Sequence, residues 1–186
     1  MVGILGNSGI AYMVSGSVAS SFHGQPRATN DIDIVIAPTE KQFESFLRLL
    51  GGGYYLSVEA AMNALSRQSM FNVIDIENGW KADFIFRKDR PFSAEEFQRR
   101  RTVNIMGQRI CIVSPEDAIL SKLEWAKGKV DSRQFRDVQG IAMVQWEHLD
   151  HDYLREWAKR LDIEDTLEQM LKEVNELKNP EPRQES

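Results

Sequence analysis

A small-residue turn, Gly16-Ser17, followed at Asp31 and Asp33 by two acids in the run Asp31-Ile32-Asp33-Ile34-Val35-Ile36, constrains this chain more than any other feature. Side chains two apart in a strand project to one face, so both carboxylates point together while Ile32, Ile34 and Ile36 face the core. Two like charges so close repel unless a cation sits between them. A divalent metal is the fitting guest, because magnesium takes one or two carboxylates and leaves its remaining positions to water and phosphate oxygens.

The turn supplies the complementary half. Ala11 to Ser15 reads as a short strand, Gly16-Ser17 as a tight turn, and Val18 to His23 as a short helix stopped by Gly24. Backbone amides at such a helix start, with the Ser17 hydroxyl, form a donor-rich cradle for an anion such as triphosphate. The separation from Ser17 to Asp31 suffices for helix, loop and return to an adjacent strand. A phosphate cradle and a metal-binding carboxylate pair then lie side by side.

On these residues the chain resembles the nucleotidyltransferase superfamily that includes DNA polymerase β and the aminoglycoside nucleotidyltransferases. Its shared pattern is Gly-Ser or Gly-Gly, a short intervening stretch, Asp-x-Asp on a strand and a third acid on a later strand. The run from Gly9 to Gly24, continued by Arg27-x-Thr29-x-Asp31-x-Asp33, is similar to the branch containing the AbiEii-type toxin proteins. The resemblance implies an α/β (α+β) fold, a mixed central β-sheet flanked by helices with a C-terminal helical region. It also implies transfer of a nucleoside monophosphate from a nucleoside triphosphate to a hydroxyl acceptor, with magnesium or manganese held by Asp31, Asp33 and the third acid. Gly16 and Ser17 then hold the nucleotide's phosphates, and Arg27 or Thr29 fixes the loop before the strand.

The third acid falls in a hairpin. Ser69 to Ile76 and Trp80 to Phe86 flank Asn78-Gly79, a strong turn signal, and should add two antiparallel strands to the Asp31 strand's sheet. The resemblance points to Asp83, in Lys81-Ala82-Asp83-Phe84, while Asp75 competes. A two-residue turn pairs Asp75 with Ala82 and turns it away from Asp83; a three-residue turn pairs it with Lys81 and puts both acids on one face.

Elsewhere, Thr39 with Gln42 forms a capping box for a helix to about Leu50, and Ser93 with Glu96 forms a second one. Arg101 to Ile105 and Arg109 to Val113 read as another hairpin. A helix from Pro115 to about Gly128 follows, then one from Ser132 to about Trp146 and two more ending near Leu177. Trp125, Trp146 and Trp157 sit at helical positions expected to be core. AbiEii-like proteins carry a lysine on the first of these helices and an Arg-Asp pair on the next, which here are Lys122 and Arg136-Asp137. The resemblance places both near the nucleotide, Lys122 as a point charge on triphosphate and Asp137 orienting it or taking part in proton transfer. The organisation is then a catalytic core over 1–113, a helical region over 114–178 packed on it and a disordered polar tail over 179–186.

At 186 residues and 42% apolar content the chain fits one soluble globular domain with a helical appendage. Cys111, alone in an apolar run, cannot form an internal disulfide, and a reducing cytoplasmic setting follows. No run is long enough to cross a membrane. The net charge of −5 argues against broad attachment to nucleic acid. A local site remains open at the basic cluster Arg87, Lys88, Arg90, Arg99, Arg100 and Arg101, which reads first as a solvated helix end and strand edge. The acceptor is open among an RNA end (tRNA included), a protein hydroxyl and a small molecule. A toxin of a toxin–antitoxin pair, with a cognate antitoxin or partner subunit, is one setting. The rivals are a catalytically silent partner of the same fold, such as the antitoxin itself, and a metal-dependent phosphohydrolase, which explains the acids but not the Gly-Ser turn.

Overall fold

Runs of β-branched and aromatic residues at alternate positions build a mixed sheet in the computed structural model, which describes residues 1–127 and 133–179. Its strands are β1 (Tyr12–Ser15), β2 (Asp31–Ile36), β3 (Tyr54–Tyr55), β4 (Met70–Asp75), β5 (Lys81–Phe86), β6 (Arg101–Ile105) and β7 (Gln108–Ile112), in spatial order β3-β4-β5-β2-β1-β7-β6. The pairs β2–β5 and β1–β7 are parallel, and the rest are antiparallel. The chain divides into two compact units. One, Met1–Ala19 with Ala28–Ser114, holds the whole sheet; the other joins Ser20–Arg27 to the described residues from Pro115 onward.

In the sheet unit, which also holds α1 (Val2–Asn7) and α4 (Val58–Arg67), the apolar face of β4 and β5 packs against α3 (Glu40–Leu50). Phe43 and Phe46, both fully buried, meet Phe86 and Phe84 at ring-centroid distances of 5.3 and 5.2 Å, and Phe43 meets Phe71 at 5.4 Å. Each such pair contributes about 0.5–1.5 kcal/mol beyond the area it buries, so this cluster ties the helix to the central strands. The Thr39–Gln42 capping box is complete, and Gln42 Nε2 also donates to the Gly9 carbonyl at 2.6 Å. The second expected box fails. Helix α5 (Pro91–Gln98) begins two residues before Ser93, with Pro91 in its first turn and no side-chain cap. Proline's fixed φ suits that position and its missing N–H costs nothing there, so Pro91 sets the start and Ser93 instead accepts from Arg90 Nε at 3.0 Å.

The β4–β5 hairpin turns through more residues than Asn78-Gly79. Asp75 N–H donates to the Trp80 carbonyl at 2.8 Å, and Asn72 pairs with Asp83 and Val73 with Ala82. This register is shifted by two residues from the one a two-residue turn implies. A shift of two preserves side-chain parity, so Asp75 still faces away from Asp83. Its carboxylate instead closes the turn, accepting from the Glu77 and Asn78 amides at 3.0 and 3.1 Å. The Asn78 amide leads in holding the Asp75 carboxyl below its ordinary range.

In the helical unit α6 (Pro115–Trp125), α7 (Arg133–Gln145), α8 (His151–Arg160) and α9 (Glu164–Lys178) bury Ile119, Leu123, Val138, Leu154, Leu167 and Val174. The segment after α2 (Gly16–His23) presses on α7 at Gly24, where a Cβ would lie 2.6 Å from the Ile141 amide nitrogen. Trp157 is buried as expected, but Trp125, the last residue of α6, is 81% exposed. Helical spacing does not fix which way a helix-terminal residue faces, and that correction follows. The expected helix ends at Gly128 and Ser132 lie outside the described residues, as does the tail beyond Asn179. Among the described residues no helix is long and apolar enough to cross a membrane.

Candidate active site

In the sheet unit, register alone assembles a polar face. Parallel pairing sets Asp31 beside Lys81 and Asp33 beside Asp83, while antiparallel pairing sets Ser15 beside Asp33 and Asn72 beside Asp83. Directly paired residues share a face, so all three predicted acids emerge on one side of the sheet. Asp31 is open to solvent at 57% side-chain exposure, whereas Asp83 is largely covered at 13%.

The cation between these acids is one of the chain's own. Lys81 Nζ lies 3.2 Å from Asp83 Oδ2 and 3.5 Å from Asp31 Oδ1. Asn72 Nδ2 donates to the other Asp83 oxygen, Oδ1. The hydrogen bond to Asp83, opposed by desolvation and aided by attraction to both carboxylates, holds the Lys81 ammonium above its ordinary pKa. In the sequence Lys81 stands only as context for Asp83. The two-residue spacing that groups Asp31 with Asp33 also groups Lys81 with Asp83, and it was the available signal.

Gly16 has φ +60°, and a Cβ there would lie 1.8 Å from Asp33 Oδ2 and 2.6 Å from its Cγ. Glycine is therefore required twice, for backbone conformation and for the space the carboxylate fills. Ser17 follows inside the first turn of α2. Thr29 Oγ1 donates to the Asp31 carbonyl at 3.1 Å and accepts from the Asp31 amide at 3.3 Å, which fixes the entry to β2.

No group of three or more His, Cys, Asp or Glu side chains among the described residues is gathered closely enough to hold a metal ion. The donor chemistry nonetheless fits magnesium or manganese, since one or two carboxylates suffice when water and phosphate complete the shell. The cradle beside Gly16 keeps the Asp33 carboxylate at that face.

The helical unit holds Arg27, Lys122 and Asp137. Lys122, 8% exposed, donates to Asp137 Oδ2 and Gln134 Oε1, both at 2.9 Å. Arg27 Nε and Nη2 donate to Asp137 Oδ1 and Oδ2 at 3.2 and 3.4 Å. Asp137 and Gln134 thus hold the Lys122 ammonium inside the unit. We expect Lys122→Met to cost about 1–3 kcal/mol of stability and to change nucleotide affinity less, because a nearly buried carboxylate loses one of its two cations. Urea unfolding beside calorimetric titration checks this; unchanged stability with weakened nucleotide binding would make Lys122 a direct phosphate ligand.

In the basic cluster, two members serve the fold. Arg90 stands 5.5 Å from the Phe92 ring, and Arg100 lies 4.3 Å over Phe97 while donating to the Phe97 carbonyl.

No protein-family model matches the chain. No curated protein matches it either. Solved structures do. An antigenic nucleotidyltransferase-like protein from Paracoccidioides brasiliensis aligns with a TM-score of 0.57 at 18% identity, over 90% of this chain and 87% of its own. ANT(2")-Ia in complex with adenylyl-2"-tobramycin aligns with a TM-score of 0.58 at 13% identity, over 87% and 92%. The lincosamide antibiotic adenylyltransferase LnuA, lincomycin-bound, aligns with a TM-score of 0.50 at 13% identity, over 75% and 92%. At such identities the likeness speaks for architecture alone, and on that ground the sheet carrying Asp31, Asp33 and Asp83, with its helices, is a nucleotidyltransferase fold.

Proposed function

We propose that this protein is a metal-dependent nucleotidyltransferase that moves a nucleoside monophosphate from a nucleoside triphosphate to a hydroxyl acceptor. The observation that carries the reading is the register that brings Asp31, Asp33 and Asp83 to one face beside the Gly16 turn. Asp31 and Asp33 would hold magnesium or manganese with Asp83, and the ion supplies charge neutralisation for the triphosphate and a lowered pKa for the acceptor hydroxyl. Gly16 and Ser17 orient the β- and γ-phosphates at the start of α2. Asp83 accepts the hydroxyl proton as the acceptor oxygen bonds to the α-phosphorus, the bond from that phosphorus to the bridging oxygen breaks, and pyrophosphate leaves.

The motif run from Gly9 to Asp33, similar to AbiEii-type proteins, supports the finer reading of a toxin in a toxin–antitoxin pair, with an RNA end or a protein hydroxyl as acceptor. Structural neighbours include proteins that act on antibiotics, which keeps a small-molecule hydroxyl in the same test.

Incubation with each α-labelled nucleoside triphosphate, magnesium and cell extract tests the reaction. Label should move to an acceptor with the native protein and fall by about a hundredfold or more with Asp33→Asn, which removes charge at nearly constant volume. Full transfer by folded Asp33→Asn would remove these acids from the mechanism. The silent-partner reading also has an observation in its favour, because Lys81 already relieves the repulsion between Asp31 and Asp83. Thermal shifts separate the two. Metal with a nonhydrolysable triphosphate should raise the melting temperature by more than the sum of their separate effects, and purely additive shifts would favour the silent partner.

A further inference from the structure

Both oxygens of the Asp83 carboxylate are engaged by neighbours on the same sheet. Asn72, directly opposite on β4, donates to Oδ1, and Lys81, two residues earlier on β5, places its ammonium 3.2 Å from Oδ2. The same ammonium reaches Asp31 Oδ1 at 3.5 Å, so one side chain spans two of the three acids. Register produces this arrangement, because Asp31 pairs with Lys81 across β2 and β5 and residues two apart on β5 share a face. Carboxylate oxygens have lone pairs to spare, but an ammonium and a divalent ion on the same two acids repel each other. The two cations therefore compete for Asp31 and Asp83. Asn72 is neutral and has no such conflict. The Lys81 side chain is 38% exposed, so water can take up its ammonium when the acids let it go.

We propose that Lys81 is a built-in counter-cation, a positioning residue that holds Asp31 and Asp83 together and that a divalent metal must displace in order to bind, so that Lys81 sets the metal affinity of the site. The two partners of Asp83 then have different tasks. Asn72 keeps the carboxylate aimed in either state, while Lys81 carries the charge that the metal replaces. The ammonium lets like charges share a face without a metal, and it also raises the metal concentration at which the site fills. This inference rests on the reading above in one respect, that Asp31, Asp33 and Asp83 are the metal's ligands.

Manganese titration of the full chain without nucleotide, followed by the electron paramagnetic resonance signal of the free ion, tests this role. Lys81→Gln keeps a hydrogen-bond donor and drops the charge, Lys81→Met drops both, and Lys81→Arg keeps the charge. The two neutral variants should bind manganese about tenfold or more tighter than the native protein, the scale of one charge-assisted contact removed from the competition. Lys81→Arg should stay near native. A merely structural lysine gives the opposite order, since its loss loosens the acids and weakens binding. Circular dichroism checks each fold, and either neutral variant suffices if the other does not fold. Equal or weaker manganese binding in a folded neutral variant, or binding in Lys81→Arg as tight as in Lys81→Gln, overturns the proposal. Asp33→Asn separates this inference from the reading beneath it. Affinity that falls in Asp33→Asn but is equal in native and Lys81→Gln proteins overturns the role of Lys81 alone. Affinity indifferent to Asp33→Asn removes the metal from these acids and overturns both.

Discussion

Gly16→Ala should reduce the proposed transfer reaction by about a hundredfold or more, the scale expected when a catalytic group moves by around an ångström. The alanine Cβ would stand 1.8 Å from Asp33 Oδ2, far inside van der Waals contact, so either the carboxylate or the turn must move. Both outcomes are harmful. Moving the turn carries Ser17 away with it, and keeping φ at +60° with a Cβ costs about 1–2 kcal/mol of backbone strain. The turnover assay with circular dichroism as folding control decides the matter. A folded, fully active Gly16→Ala protein would show that the turn and Asp33 do not act as one unit.

That coupling explains how much of the site could be read in advance. Asp31 and Asp33 share a face because strand periodicity is two, a local rule visible in any sequence, and Thr39-Gln42 capped its helix for the same kind of reason. Ser93 and Glu96 misled because a competing local signal, Pro91, lies two residues earlier and wins. Lys81 is legible by the same rule, two residues before Asp83 on β5. The length of the β4–β5 turn was not legible, since the hydrogen bonds from the Glu77 and Asn78 amides to the Asp75 side chain compete with the tighter Asn-Gly turn, and neither pattern dominates in the sequence alone. The packing of residues 20–27 against α7 lay furthest from view, since the close approach at Gly24 is a tertiary contact with no sequence period to announce it.

Asp83→Ala should abolish transfer, by about a hundredfold or more, whereas Asp75→Ala should leave turnover near native and lower the melting temperature. The contrast follows from parity. Asp83 shares its face with Asp31 and Asp33 and is bridged to Asp31 by Lys81, while Asp75 lies on the other side and spends its oxygens on the hairpin turn. The Asp75 effect carries a pH signature as well. Because the turn amides hold its carboxyl below the ordinary value, its stabilisation is present above that ordinary value and is lost as pH falls through the lowered one. The gap in melting temperature between native protein and Asp75→Ala should therefore be present at neutral pH and narrow in acid. Turnover and melting curves measured on both variants across that range decide it. A dead Asp75→Ala protein with an unaltered melting curve would place the third carboxylate at Asp75 and overturn the face assignment on which the proposed mechanism depends.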